Sequence, residues 1–147
     1  MALLEIKNLN VKLRMGGSLR TVIEDLSVEL EQGEAMGLVG ESGSGKTMAA
    51  RAIMGLLPEG AHITGEILLN GQSVLEMGRQ QLRQMRVHDV AMIFQDARAH
   101  INPVRTIGDF LMETMIVNHG HSKSDARSRS VDLLEQVGFV TLHRAPG

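Results

Sequence analysis

Apolar and polar positions change their rhythm along this chain, and each rhythm predicts an element. Leu4-Glu5-Ile6-Lys7, Leu9-Asn10-Val11-Lys12-Leu13 and Leu26-Ser27-Val28-Glu29-Leu30 alternate with period two, the pattern of strands with one buried face. Met15-Gly16-Gly17-Ser18 reads as a turn between them. After Gln32-Gly33 comes an unbroken apolar run, Ala35-Met36-Gly37-Leu38-Val39, which predicts a strand buried on both faces of a parallel sheet. From Gly45 to about Leu57 the period becomes helical. Met48, Ala49, Ala52, Ile53 and Leu56 share a face, and Pro58 stops the helix. Ile63 to Val74 predicts a hairpin turning at Asn70-Gly71, and Arg79 to Arg86 a polar helix. Val90-Ala91-Met92-Ile93-Phe94 predicts a second buried strand. Ile107, Phe110, Leu111, Thr114 and Met115 then have helical spacing, as do Val131, Leu134, Glu135 and Val137 ahead of Gly138. Ser122 or Ser124 is the expected N-cap of the last helix. No internal repeat or low-complexity tract interrupts the series.

Composition narrows the classes. The 147 residues suit one domain, and 43% hydrophobic with 22% charged residues is a globular balance. Fifteen basic against seventeen acidic residues leave a formal charge of −2, which supplies no general attraction to nucleic acid or to an anionic membrane. The absence of cysteine excludes disulfides, thiolate metal sites and thiol nucleophiles. With no basic n-region at Met1-Ala2-Leu3-Leu4-Glu5, a reducing, cytoplasmic compartment is expected. No apolar run approaches the ~20 residues of a membrane span, so direct insertion into a membrane is not expected. Ten methionines and three phenylalanines, with no Trp or Tyr, predict that Met fills core volume usually taken by aromatics.

The stretch that carries chemistry is Gly40-Glu41-Ser42-Gly43-Ser44-Gly45-Lys46-Thr47, a match to G-x-x-x-x-G-K-[ST] between a predicted strand and a predicted helix. Glycines let the backbone curl with its N–H groups pointing inward, and the new helix adds unpaired amides and the positive end of its dipole. Lys46 is placed to reach β- and γ-phosphates, and the Thr47 hydroxyl to hold Mg²⁺. Hydrogen bonds to charged groups contribute about 1.5–3 kcal/mol each, against about 0.3–2 kcal/mol for the dipole. The lysine and the amides should therefore dominate phosphate affinity.

Strands ahead of the loop, and the absence of N-K-x-D and D-x-x-G, argue against a small nucleotide kinase or a GTPase. The extended string from Gly37 to Thr47 resembles the Walker A of ABC transporter ATP-binding subunits. Ala91-Met92-Ile93-Phe94-Gln95-Asp96, followed by Ile101-Asn102-Pro103, resembles the Q-loop block of their dipeptide, oligopeptide and nickel import branch. Gly65-Glu66-Ile67, Asn70-Gly71 and Leu133-Leu134-Glu135-Gln136-Val137-Gly138 fit the same branch. The resemblance implies an α/β fold, a P-loop NTPase core with an N-terminal antiparallel β-subdomain and the start of an α-helical subdomain. It divides the chain into residues 1–95, the ATP-binding core and β-subdomain, and 96–147, the Q-loop and the start of the helical subdomain.

By position, the resemblance makes Gln95 the Q-loop glutamine, which contacts Mg²⁺ and the water near the γ-phosphate. It implies ATP and Mg²⁺ as cofactors, and a second ATP-binding subunit and transmembrane permease subunits as partners. The location it implies is peripheral, on the inner face of the cell membrane. The helical stretch Thr106 to Val117 would belong to the subdomain that, with the Q-loop, receives the membrane partner, or would serve only as its core. A pattern reading of Val90 to Asp96 as a Walker B strand, with Asp96 on the metal, stays open. The Gln before that Asp and the lack of a Glu after it count against it.

The sequence also departs from the family. No L-S-G-G-type signature, Asp-Glu Walker B or switch histidine occurs in these residues. The chain as given is therefore expected to bind Mg-ATP weakly, to turn over essentially nothing and to be poorly soluble alone. A remnant that only binds nucleotide and a non-transport ABC ATPase are the alternatives, the latter disfavoured by the 48 residues between Lys46 and Gln95. Where the family stacks an aromatic on adenine, the chain has about Leu13 and Arg14. His119-Gly120-His121 is read as a solvated loop rather than a metal site. Arg79, Arg83 and Arg86 are read as an exposed helix face, and Arg127 and Arg129 as solvated.

Overall fold

The computed structural model describes residues 2–96 and 101–139. It falls into two compact units, one ending at Met92 and the other beginning at Ile93. The first unit holds β1 (Ala2–Met15), β2 (Ser18–Glu31), α1 (Lys46–Ile53), β3 (His62–Leu69), β4 (Gln72–Ser73), a short 3-10 turn at Val74–Glu76 and α2 (Arg79–His88). Its sheet is antiparallel in the order β2-β1-β3-β4. The two hairpin turns fall where the dipeptides placed them, at Gly16-Gly17 and at Asn70-Gly71.

The two alternating runs before the first turn form one strand, not two. Between Ile6 and Leu9 the register slips, and Asn8 adopts a left-handed φ of 48°. Such a bulge reverses the phase of alternation. Ile6 on one side of it and Leu9 and Val11 on the other therefore all face the core. β2 answers with the same device: Asp25 also has φ 48°, between Ile23 and Leu26. Side chains stitch the two irregular points together. Asn8 Nδ2 donates to Asp25 Oδ1 at 2.9 Å, the Asn8 amide to Ser27 Oγ at 2.9 Å, and the Asp25 amide to Asn10 Oδ1 at 3.1 Å. On β3 the bulge is faced by Gly65, where a Cβ would stand 2.5 Å from the Asn8 carbonyl oxygen.

The core gathers Ile6, Leu9, Val11, Ile23, Ile67 and Leu69 from the sheet, Ala49 and Ala52 from α1, Val74 from the 3-10 turn and Met85 from α2. Leu9, Val11 and Ile67 are fully buried, each contributing about 1.5–3 kcal/mol of hydrophobic stabilisation. The two alanines let α1 approach the sheet, and Met85 plays the volume-filling part expected of Met.

The apolar runs 35–39 and 90–94 differ from expectation. Neither is a strand in the structure. Parallel strands take their hydrogen bonds from neighbours and their burial from helices on both faces. Among the described residues, no strand pairs with either run. Val39 is 94% exposed and Ile93 97% exposed.

The second unit contains α3 (Ile107–His119) and α4 (Lys123–Gln136), packed on each other. Thr106 caps α3 and Ser122 caps α4, each accepting from the amide of the Asp three residues on at 3.1 Å. The buried face of α4 runs through Ala126 and Ser130 to the half-buried Leu134, each one turn apart, and Ser130 Oγ satisfies itself on the Ala126 carbonyl at 2.7 Å. Val131 and Leu133 stand outside that face.

Candidate phosphate-binding site

The loop Gly40–Thr47 is exposed up to Ser44 and enters α1 at Lys46. A turn closes inside it, with the Ser44 amide donating to the Glu41 carbonyl at 3.2 Å. Gly45 has φ 89°, and a Cβ there would lie 2.3 Å from the Val22 carbonyl oxygen. Only glycine allows the loop to lie this close to β2 while turning left-handed into the helix.

The starts of α1 and α2 both have glycine at the cap, but at α2 the Gly78 amide donates to Gln81 Oε1 at 3.0 Å, and α1 has no such side-chain partner. Gly45 provides no side-chain cap, and the first turn carries no acidic residue. At α3 and α4, a Thr or Ser hydroxyl and an Asp occupy the same position. The amides at the start of α1 therefore remain available to an acceptor from outside the chain, at the positive end of the helix dipole.

The Lys46 ammonium folds back over this loop. It donates to the Gly40 carbonyl at 2.7 Å, the Glu41 carbonyl at 2.6 Å and Ser44 Oγ at 3.1 Å. Those acceptors are neutral, and phosphate oxygens, carrying full charge, are the stronger partners. A cleft of about 240 Å³ opens here, lined by Ile23, Glu24, Leu38, Gly40, Ser44 and Lys46 among others. Thr47 stands exposed in the first helical turn. Its hydroxyl is a hard oxygen donor of the kind Mg²⁺ takes alongside phosphate oxygens and water. Among the described residues, no group of three or more His, Cys, Asp or Glu gathers to hold a metal by itself.

The eight loop residues are thus brought together in the first unit. Gln95 and Asp96 belong to the second unit, where Gln95 sits exposed at a bend. Arg14 is exposed at the end of β1, with Leu13 half-buried before it. The His119 and His121 rings have centroids 6.3 Å apart beside a cavity that Arg129 also lines, and Arg127 is exposed.

One arginine departs from its expected place. Arg79 and Arg83 are exposed, but Arg86 is half-buried. Its Nε donates to the Met54 carbonyl and its Nη2 to the Gly55 carbonyl, both at 2.8 Å, at the far end of α1. The partners lie 31 and 32 residues away, so helical spacing alone could not pair them.

A family model described as ABC transporter matches residues 23–146. The oligopeptide transport ATP-binding protein OppD of Salmonella typhimurium is 38% identical over 135 residues, which covers 92% of this chain and 40% of that protein. The dipeptide transport ATP-binding protein DppD of Escherichia coli is 40% identical over 140 residues, 95% of this chain and 43% of that protein. The chain therefore spans about two fifths of the length of these relatives. Among solved structures, the dimeric post-hydrolysis state of the ATP-binding cassette MJ0796, bound to ADP and Pi, superposes with a TM-score of 0.78 at 19% identity. The superposition covers 94% of this chain and 58% of that one. That likeness establishes the fold as part of an ATP-binding cassette, with the antiparallel sheet and P-loop helix expected from the sequence. Sequence and fold thus lead to one place: the chain belongs to the ABC transporter family.

Proposed function

We propose that this chain is the nucleotide-binding part of an ABC importer subunit, one that couples ATP binding and hydrolysis to uptake of a peptide- or nickel-type solute. The observation that carries the reading is the uncapped start of α1, with Lys46 poised over the Gly40–Thr47 loop. The 38–40% identity to peptide transport ATP-binding proteins points to the importer branch.

In this reading the loop amides of Gly40, Glu41, Ser42, Gly43, Ser44 and Gly45 cradle the phosphates of ATP. Lys46 leaves its loop carbonyls for the β- and γ-phosphate oxygens. Thr47 and Gln95 are the side chains we assign to Mg²⁺, which when bound neutralises charge on those phosphates. Gln95 also orients the water near the γ-phosphate. We assign residues 1–95 to the ATP-binding core and β-subdomain, and 96–147 to the Q-loop and the start of a helical subdomain. The partners are a second ATP-binding subunit and transmembrane permease subunits, at the inner face of the membrane. No helix among the described residues is long and apolar enough to cross a membrane. Hydrolysis in this family also needs a signature loop and a Walker B carboxylate, which these 147 residues lack. Binding, rather than turnover, is the activity assigned to them alone.

Equilibrium titration of the chain with Mg-ATP tests the reading. Saturable binding, abolished by excess inorganic triphosphate, is the expected result, and no binding at millimolar nucleotide would overturn it.

A further inference from the structure

The end of α1 opposite the phosphate loop is built with equal care. Gly55 turns left-handed at φ 62°. The Leu56 amide donates to the Arg51 carbonyl at 2.8 Å and the Gly55 amide to the Ala52 carbonyl at 3.0 Å. This is a Schellman ending, which satisfies the helix's own last carbonyls. Two carbonyls just past it, those of Met54 and Gly55, then receive the Arg86 guanidinium as a two-pronged donor. Leu82, one turn earlier on α2, closes the joint. A Cβ on Gly55 would stand 2.8 Å from Leu82 Cδ2 and 3.3 Å from Arg86 Nη2. Met85 anchors α2 in the core beside them, 2% exposed.

We propose that Arg86 is a positioning residue for the phosphate site: by gripping the carboxyl end of α1, it sets the direction of the helix whose amino end carries Lys46 and Thr47. α1 is only eight residues long, about 12 Å, so a tilt at one end displaces the other by a comparable amount. Ala49, Ala52, Met48 and Ile53 hold the face of α1 against the core, and Arg86 adds a directional hold on the carbonyls at its carboxyl end. The planar fork matters as well as the charge. Two hydrogen bonds from one rigid group fix an orientation that a lysine ammonium, a single flexible point, does not. The affinity part of this inference rests on the function proposed above, whereas the positioning part does not.

The test uses Arg86→Gln and Arg86→Lys in the same chain, with a readout that needs no nucleotide. In ¹H–¹⁵N spectra of the ligand-free protein, Arg86→Gln is expected to move the amide signals of Gly45, Lys46 and Thr47. It should also speed their hydrogen exchange about tenfold, while Leu9, Val11 and Ile67 in the sheet stay unchanged. Mg-ATP affinity should fall about tenfold in parallel, the scale of losing hydrogen bonds from a charged donor. Arg86→Lys should recover part of both effects, and it carries the test if Arg86→Gln does not fold. Unmoved Gly45–Thr47 signals in a folded variant would overturn the proposal. If the unsubstituted chain binds no Mg-ATP yet those signals move, the positioning role stands and the functional reading falls.

Discussion

At the scale of single residues, two substitutions separate phosphate binding from folding. Lys46→Ala should weaken Mg-ATP binding tenfold or more, in order-of-magnitude terms, because it removes a charged donor from the cradle. Its three present partners are loop atoms at the surface, so the melting temperature should move little. Calorimetric titration beside a thermal melt reads both quantities. The choice between Gln95 and Asp96 is also decided by residue. Asp96→Ala is expected to keep Mg²⁺-dependent ATP binding, whereas a loss of the Mg²⁺ dependence in that variant would make 90–96 a metal-holding strand instead. The glycine-rich loop was legible because G-x-x-x-x-G-K-[ST] is local: one loop, in one order, feeding one helix. Arg86 was not, because its two carbonyl partners come from a segment more than thirty residues away.

At the scale of elements, the hairpin turns and the Ser122 cap follow the short-range chemistry that announced them. Ser122→Ala should cost about 1 kcal/mol by freeing the Asp125 amide, visible as a lower urea midpoint with an unchanged slope. A larger effect belongs to the bulge. Gly65→Ala would force a Cβ within 2.5 Å of the Asn8 carbonyl at φ 97°, and should cost at least about 2 kcal/mol. A Gly65→Ala variant melting with the parent would mean that the joint between β1 and β3 is softer than its geometry. Alternation predicted strands on both sides of Asn8, and the bulge was present in the sequence as a change of phase from Ile6 to Leu9. The burial of Ala126 and Ser130 on α4 was hidden, since hydrophobic periodicity is dominated by large apolar residues and small ones carry little signal.

At the scale of the whole molecule, the runs 35–39 and 90–94 matter most. They are composed as buried strands, yet Val39 and Ile93 stand almost wholly in solvent. Such surface favours association. The 147-residue chain should therefore sediment as concentration-dependent oligomers and bind a hydrophobic dye. Val39→Thr with Ile93→Thr should reduce both signals, and a monomer without dye binding would contradict this. By itself the sequence determined the place of the glycine-rich loop ahead of its helix, the hairpin turns, the cap region at Ser122 and the family, because each is written in residues close together along the chain. Tertiary structure alone decided which apolar runs are paired and buried, which small residues of α4 are buried, and that Arg86 grips the end of α1. Those outcomes depend on what lies opposite a residue in space, and hydrogen bonds and burial are completed only by a neighbour.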